Sequence, residues 1–198
     1  MFRLLATTIN ILALVGLSIL AKDKIIYYAH KYIPLSAAQN SQALPQPRDV
    51  EVAFSPNGGG TTTIVRALSQ AKNSIFVGAY SFTSKAIAQA LLQAKKRGVT
   101  IKIILDKSQL SAKYSSSRFF TNQGFNIRID KKHAIYHNKV MIIDKHTVIT
   151  GSFNFTQAAE NKNAENVLIL RHSPQLANSY LANWQTHWNH SDSITRAQ

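Results

Sequence analysis

The sequence predicts an α/β fold in which a mixed central β-sheet is flanked by helices, in one domain that follows an N-terminal apolar segment. Three observations support this prediction. The chain has 198 residues, the usual length of a single domain. Hydrophobic residues make up 45% of it, which is enough for a packed core. Short β-rich runs alternate with helical patterns, as in layered α/β proteins.

The first half of the domain alternates strands with helices. Gly98 follows three cations at the end of the second predicted helix, where a positive charge and a left-handed residue favour termination. Gly124 ends the third helix in the same way. The predicted strands cover residues 50–54, 74–79, 100–105 and 126–130, and the predicted helices cover residues 61–71, 84–97 and 115–122.

The second half is predicted to contain a β-hairpin, a further strand and a closing helix. Residues 140–143 and 148–150 form the hairpin, with Asp144, Lys145 and His146 at its turn. Residues 166–171 form the next strand. The closing helix covers residues 174–188 and has Pro174 in its first turn, where proline is tolerated.

The N-terminal part of the chain predicts export. Residues 4–20 are mostly apolar and follow Arg3, as in a secretory signal or a membrane anchor. Residues 36–48 are rich in Ala, Gln, Ser and Pro, which is typical of a linker. We therefore expect a signal or anchor at 1–22, a linker at 23–48 and the globular domain at 49–192. The protein is expected to be periplasmic or secreted, or anchored in the inner membrane by residues 4–20.

The composition limits the classes of binding partner and of reaction that fit this chain. The net charge of +14, from 23 Lys and Arg against nine Asp and Glu, favours a polyanion or an anionic membrane surface as partner. The absence of cysteine excludes disulfides and thiolate metal sites. The acidic residues are mostly scattered singly, whereas a two-metal nuclease gathers several carboxylates. We expect no cofactor and no metal ion in the reaction.

One motif carries the predicted chemistry. His137 and Lys139 precede the first strand of the hairpin, and Ser152 and Asn154 follow the second, so both ends can face one pocket. Lys139 and the Asn154 amide can donate to the nonbridging oxygens of a phosphodiester, and a neutral His137 can attack phosphorus. No second His-x-Lys exists to supply the leaving group's proton.

The motif resembles the signature of the phospholipase D superfamily, HxKx4Dx6GSxN, and the chain looks closest to the short, single-motif bacterial endonucleases of that superfamily. The resemblance extends over roughly residues 50–190. It includes residues 54–56 (FSP), 79–83 (AYSFT), 94–98 (AKKRG), 151–156 (GSFNFT), 163–166 (NAEN) and 184–188 (WQTHW).

The resemblance implies a phospholipase D-like fold and a two-step, metal-free hydrolysis through a phosphohistidine. It also implies a homodimer, because two motif copies must meet and this chain has one. His137, Lys139 and Asn154 are the expected catalytic residues, with Ser152 beside them. The counterpart of Glu165 helps to orient the nucleophilic histidine, and that of Asp144 is more structural than catalytic.

Several other residues have ordinary interpretations. Lys131 and Lys132 are candidate substrate-binding residues, and His133 beside them is expected to belong to a solvated basic patch. Trp184 and Trp188, spaced i, i+4, are expected in core or dimer packing. His187 and His190 are expected to form at most a surface pair and no metal site.

Three functions fit the sequence. The first is a sequence-nonspecific endonuclease that acts on DNA, with RNA as a further substrate, because charge and a phosphate-directed site favour backbone contacts. The second is a phospholipase D that hydrolyses phosphatidyl headgroups, although the small domain leaves little room for acyl-binding elements. The third is a membrane-tethered, non-catalytic DNA-binding subunit of a DNA-transfer system. In that case, substitution of His137 would leave function intact.

Overall fold

An eight-stranded mixed β-sheet forms the centre of the domain in the computed structural model, which describes residues 49–194. The spatial order of the strands is β1-β7-β6-β5-β2-β3-β4-β8. The strands are β1 (Asp49–Ser55), β2 (Ser74–Ala79), β3 (Thr100–Asp106), β4 (Asn126–Asp130), β5 (Lys139–Ile143), β6 (Thr147–Gly151), β7 (Glu165–Arg171) and β8 (Asp192–Ser193).

Strands β2, β3 and β4 are parallel, and all other pairs in the sheet are antiparallel. Parallel neighbours need crossover connections, and helices provide them here. The helices are α1 (Gly60–Ser69), α2 (Lys85–Lys96), α3 (Ser117–Asn122), α4 (Gln157–Asn161) and α5 (Pro174–His190), with a short 3₁₀ helix at Lys107–Leu110.

Two apolar clusters cover the two faces of the sheet, because successive side chains of a strand point to opposite sides. Ile75 and Val77 of β2 belong to the larger cluster, which also contains buried residues of α1 and α2. Phe76 of β2 packs in the smaller cluster, with Trp184 and Trp188 of α5. The Trp184 Nε1–H donates to the Val77 carbonyl oxygen at 2.9 Å, so its polar atom is satisfied within the core.

The hairpin between β5 and β6 turns at Asp144 and Lys145, which both have positive φ, 51° and 58°. This pair of left-handed residues matches a type I′ turn, whose twist suits adjoining antiparallel strands. The backbone N–H of His146 donates to the Ile143 carbonyl oxygen at 3.1 Å and closes the turn. The hairpin therefore has two distinct ends, one at this turn and one where β5 starts and β6 stops.

The predicted α/β class and mixed sheet are confirmed. The predicted bounds of β2 and β4 agree with the structure, and most other elements shift by one or two residues at an end. Trp184 and Trp188 lie in the core, one of the two expected places. The 3₁₀ helix, α4 and β8 were not predicted. The signal or anchor at 1–22 and the linker at 23–48 lie outside the described residues. No helix within residues 49–194 is long and apolar enough to cross a membrane.

Candidate active site

The motif residues other than Asp144 lie at one edge of the sheet because of strand direction and register. Ala79, at the end of β2, pairs with Lys139, at the start of β5. Ser55, at the end of β1, pairs with Glu165, at the start of β7. Gly151 ends β6 between them. The chain therefore brings the start of β5, the end of β6 and the start of β7 to this edge, which we call the motif edge.

His137 is exposed at the motif edge and contacts the ring of Tyr80. The two ring centroids are 4.7 Å apart, in an edge-on arrangement. The Lys139 ammonium nitrogen lies 5.3 Å from the centroid of the same Tyr80 ring and donates to the His137 carbonyl oxygen at 3.2 Å. Tyr80 thus contacts both His137 and Lys139, and the sequence analysis did not identify it as a site residue. Its contacts depend on the pairing of β2 with β5, so no local pattern in the sequence indicated it.

Lys139 is partly buried, and its charge depends on its surroundings. Burial lowers the pKa of the Lys139 ammonium below its ordinary value, and the negative charge of Glu165 acts in the opposite direction. The interaction indicates that Glu165 lies close enough to Lys139 to act on it electrostatically. The site therefore combines a cation suited to a phosphate with one nearby carboxylate.

Glu165 and Ser152 form a hydrogen-bonded pair beside the histidine strand. The Ser152 hydroxyl donates to Glu165 Oε2 at 2.6 Å, and the Asn163 side-chain amide donates to Oε1 at 3.0 Å. The backbone N–H of Asn166 donates to the Ser152 hydroxyl at 3.1 Å. Both oxygens of Glu165 therefore have partners, which fixes the carboxylate in place.

Gly151 allows the two strands to approach closely enough for this pair to form. Its φ is 144°, and a Cβ at this position would lie 2.3 Å from the Asn166 carbonyl oxygen. That separation is shorter than any van der Waals contact, so a side chain here would push β6 away from β7. The motif therefore requires glycine at this position for a steric reason that is independent of catalysis.

Asn154 carries an unsatisfied polar atom. Its Oδ1 is buried and has no hydrogen-bond partner. Buried polar atoms are almost always paired, so this oxygen is an exception among the described residues. The atom that the motif predicts to donate to a phosphate oxygen is the amide nitrogen, Nδ2, because the amide oxygen can only accept.

Asp144 lies at the other end of β5. At the usual rise per residue of a strand, it is about 16 Å from Lys139, the first residue of β5. Its carboxylate accepts three backbone N–H groups: Asn73 at 2.7 Å, Ser74 at 2.8 Å and Lys72 at 2.9 Å. Burial acts to raise the pKa of Asp144, but these hydrogen bonds outweigh it and lower the pKa. The structure therefore separates Asp144 from His137 and gives it a structural role.

Asp130, at the end of β4, contacts three histidine side chains. Its Oδ2 lies 3.0 Å from His133 Nδ1, 3.2 Å from His187 Nδ1 and 3.0 Å from His190 Nε2. Burial acts to raise the pKa of Asp130, but hydrogen bonds from the histidines hold it well below its usual range. His187 and His190 are therefore not an isolated surface pair. Lys131, which forms an ion pair with Asp192, and Lys132 lie exposed beside this cluster.

The comparisons with known proteins agree with the motif. Residues 64–188 match the family described as cardiolipin synthase, PLD-like domain. Phospholipase D of Rickettsia typhi is 47% identical over 137 residues, which cover 69% of this chain and 67% of that protein. Mitochondrial cardiolipin hydrolase of Mus musculus is 27% identical over 148 residues, which cover 75% of this chain and 66% of that protein.

Two solved structures share the fold. The phospholipase D family member Nuc from Salmonella typhimurium is 42% identical, with a TM-score of 0.72, and covers 74% of this chain and 98% of its own. NucT from Helicobacter pylori is 21% identical, with a TM-score of 0.65, and covers 74% of this chain and 100% of its own. The second similarity supports the fold alone.

Proposed function

The chain belongs to the phospholipase D superfamily and is a phosphodiester hydrolase, and from that premise we propose that it is a metal-independent endonuclease that cleaves DNA through a phosphohistidine on His137. The observation that carries the proposal is the convergence of His137, Lys139 and Asn154 at the motif edge. His137 is exposed, so its ring is available to a substrate.

The proposed first step forms a P–N bond and breaks a P–O bond. A ring nitrogen of His137 attacks phosphorus, while Lys139 and the Asn154 amide stabilise the charge on the nonbridging oxygens. His137 of the partner subunit donates a proton to the leaving oxygen. In the second step water attacks phosphorus, gives its proton to that same histidine, and breaks the P–N bond, which restores the enzyme.

We propose that Glu165 and Ser152 position the site. Glu165 raises the pKa of Lys139 and so helps to keep it charged. Its two oxygens accept from Ser152 and Asn163, which leaves the carboxylate occupied by protein groups. A nuclease that works through two Mg²⁺ ions needs several carboxylates free to coordinate them. These engaged oxygens support a reaction that uses no metal ion.

We propose DNA as the substrate because the protein carries a large positive charge. The net charge of +14 suits a polyanion, and exposed Lys131 and Lys132 follow β4, whose end lies at the same edge of the sheet as the start of β5. They are proposed to contact backbone phosphates away from the cleaved bond. Such contacts carry no sequence information, so cleavage is expected to be nonspecific.

A phospholipid is the second candidate substrate, and the names of relatives favour it. The Rickettsia typhi relative is called phospholipase D, and the Mus musculus relative is called mitochondrial cardiolipin hydrolase. The same two steps hydrolyse a phosphatidyl headgroup. An N-terminal segment at 4–20 that holds the protein at a membrane would favour this substrate.

The test compares the full-length chain with His137→Ala and with His146→Ala, a matched histidine at the hairpin turn. Each protein is incubated with plasmid DNA and with phosphatidylcholine or cardiolipin vesicles, in buffer with and without Mg²⁺. DNA cleavage without Mg²⁺ that is lost only in His137→Ala supports the proposal. Headgroup release without DNA cleavage moves the assignment to the phospholipase. DNA cleavage by His137→Ala would contradict the nucleophile, and an absolute need for Mg²⁺ would contradict the mechanism.

We further propose that the active form is a homodimer that shares one site. Phe54 and Ile135 are large apolar residues with 63% and 55% of their surface exposed, and both lie close in sequence to the motif edge. A contiguous exposed apolar patch is typical of a contact surface, and we propose that these two residues belong to one. A two-fold axis near His137 would cover them and bring the two histidines together.

Mixing subunits tests the shared site. Wild-type and His137→Ala chains are unfolded and refolded together at varied ratios, so that dimers form at random. If only the doubly wild-type dimer is active, activity falls with the square of the wild-type fraction. A linear fall would mean that each subunit acts alone. Phe54→Asp should weaken the dimer in sedimentation experiments, whereas Val50→Asp, at the far end of the same strand, should not.

A further inference from the structure

The cluster around Asp130 has no role in the proposed reaction. Its four members come from the end of β4 and the loop after it, Asp130 and His133, and from the last turn of α5, His187 and His190. Their candidate ligand atoms all lie within 4.8 Å of one another. We infer that Asp130, His133, His187 and His190 form a structural metal site that binds one Zn²⁺ per chain.

The first argument is the crowding on one oxygen. Three imidazole nitrogens lie within 3.0–3.2 Å of Asp130 Oδ2. A carboxylate oxygen has only two lone pairs, so three separate N–H donors compete for it. A cation between the four atoms removes the competition, because each nitrogen then presents a lone pair rather than a proton.

The second argument is the match to zinc coordination. Zn²⁺ binds His nitrogen and carboxylate oxygen at about 2.0–2.2 Å in a tetrahedron, which places ligand atoms about 3.3–3.5 Å apart. The three N···O distances of 3.0–3.2 Å are already close to that value. The larger N···N separations, up to 4.8 Å, can close by rotation of the rings. The most mobile ring belongs to His133, whose side chain is 43% exposed.

The third argument is the support around the ligands. The other oxygen of Asp130, Oδ1, accepts the backbone N–H groups of Lys132 at 3.0 Å and His133 at 3.3 Å. These bonds fix the carboxylate and direct Oδ2 towards the histidines, as hydrogen bonds to ligand groups do in metal sites. The site also lies at the C-terminal end of α5, where the helix dipole favours a cation. His187 and His190 are three residues apart and so share one helix face.

Nearby lysines act against cation binding, and one of them is paired with a carboxylate. Lys131 pairs with Asp192 at 3.0 Å, and Lys107 donates to the His133 carbonyl oxygen at 3.1 Å. Lys132 is exposed to solvent, which screens its charge. These charges weaken the affinity of the site without occupying any of the four ligand atoms.

Four protein ligands leave no open position, so the metal would be structural and not catalytic. It would join α5 to the segment between β4 and β5. Tyr136 in that segment contacts the His187 ring with 5.0 Å between centroids, and its backbone N–H donates to Asp106 Oδ2 at 2.8 Å. Tyr136 directly precedes His137. The proposed metal would therefore stabilise the segment that carries the nucleophile. This structural role is separate from the steps of the proposed reaction.

The experiment uses the full-length chain, purified without a polyhistidine tag, in mild detergent if the apolar N-terminal segment requires it. The protein is stripped with a chelator, loaded with Zn²⁺ and freed of excess metal, and bound zinc is measured by mass spectrometry. We expect about one zinc per chain and a higher melting temperature with Zn²⁺ than with the chelator. Loading with Co²⁺ should give visible absorption bands of tetrahedral intensity.

The variants are His190→Gln and Asp130→Asn, with His172→Gln as the matched control. The ring of His172 stacks on that of His146, with 6.2 Å between centroids, away from the cluster. His172→Gln should bind zinc like the wild type, whereas His190→Gln should lose the zinc and the Zn²⁺-dependent rise in melting temperature. The Co²⁺ spectrum of the wild type needs no variant and stays decisive if Asp130→Asn fails to fold.

The inference is overturned if the wild type retains no stoichiometric zinc, or if His190→Gln and the wild type bind it equally. Nuclease activity is measured on the same samples. Zinc binding without DNA cleavage would support the metal site and contradict the proposed function. Activity lost in chelator and restored by Zn²⁺ but not by Mg²⁺ supports the structural site without contradicting the phosphohistidine.

Discussion

The two ends of the β5–β6 hairpin carry residues of one sequence motif, and their key side chains differ in exposure and in hydrogen bonding. At the turn, the Asp144 carboxylate accepts three backbone N–H groups between 2.7 and 2.9 Å. At the motif edge, His137 is exposed and Asn154 Oδ1 is buried without a partner. The difference separates the carboxylate that holds the turn from the exposed histidine that can reach a substrate.

The largest effect that tests this comparison is expected at the motif edge. His137→Ala should lower DNA cleavage at least about 10⁴-fold, because loss of a nucleophile removes the covalent step. His146→Ala, at the other end of the hairpin, should leave the rate near that of the wild type. Initial rates on supercoiled plasmid provide the measurement, with circular dichroism as a check on folding. Equal losses in both variants would remove the distinction between the two ends.

The second effect is expected at the turn and concerns stability. Asp144→Ala leaves three backbone N–H groups without their acceptor, and a bond to a charged group is worth about 1.5–3 kcal/mol when buried. Because the site is partly exposed, we expect a total loss of about 2 kcal/mol. Urea unfolding measures this loss. The rate per folded molecule should be unchanged, and a large fall in that rate would give Asp144 a catalytic role.

The third effect returns to the motif edge and is smaller. Glu165→Gln removes the negative charge that raises the pKa of Lys139, while burial continues to lower it. The ammonium should therefore lose its proton at a lower pH, and the alkaline limb of the pH–rate profile should shift to lower pH. We expect the fall in kcat to be larger at alkaline pH than near neutral pH, because loss of the Lys139 proton removes the charge that stabilises the phosphate oxygens. An unchanged alkaline limb would show that Glu165 does not act through Lys139.

The contrast between the two ends also explains what the sequence could predict. His137, Lys139, Ser152 and Asn154 were identified because they stand at the fixed spacings of one motif, which a predicted hairpin places together. The bounds of β2 and β4 followed from buried apolar runs between turn residues. Such features are local in sequence, and local patterns are the ones that single-sequence reasoning detects.

The missed features depend on contacts between distant residues. Asp130 and His190 are 60 residues apart, and their approach depends on how α5 crosses the sheet. Tyr80 follows a buried strand, where an aromatic residue suggests core packing. Helix α4 has only five residues, and β8 has two, so neither carries enough periodicity to be recognised.

The smallest effect concerns acid stability at the turn. The folded-state pKa of Asp144 lies below its ordinary value of 3.8, because the three backbone N–H groups favour the charged carboxylate. Its contribution to stability is therefore complete above the unfolded-state value and is lost as pH falls through the folded-state value. An amide in Asp144→Asn has no charge to lose. The difference in unfolding free energy between wild type and Asp144→Asn should be greatest near neutral pH and should shrink as pH falls below 3.8.

Urea unfolding of both proteins at a series of pH values measures this difference, and Asp49→Asn at the exposed start of β1 serves as the control. The Asp49 variant should keep the acid sensitivity of the wild type, because Asp144 is intact in it. If the gap between wild type and Asp144→Asn stays constant with pH, the backbone N–H groups do not act on the charge of Asp144. The turn would then be held by geometry alone, and the hydrogen bonds at the two ends of the hairpin would no longer differ in the way proposed.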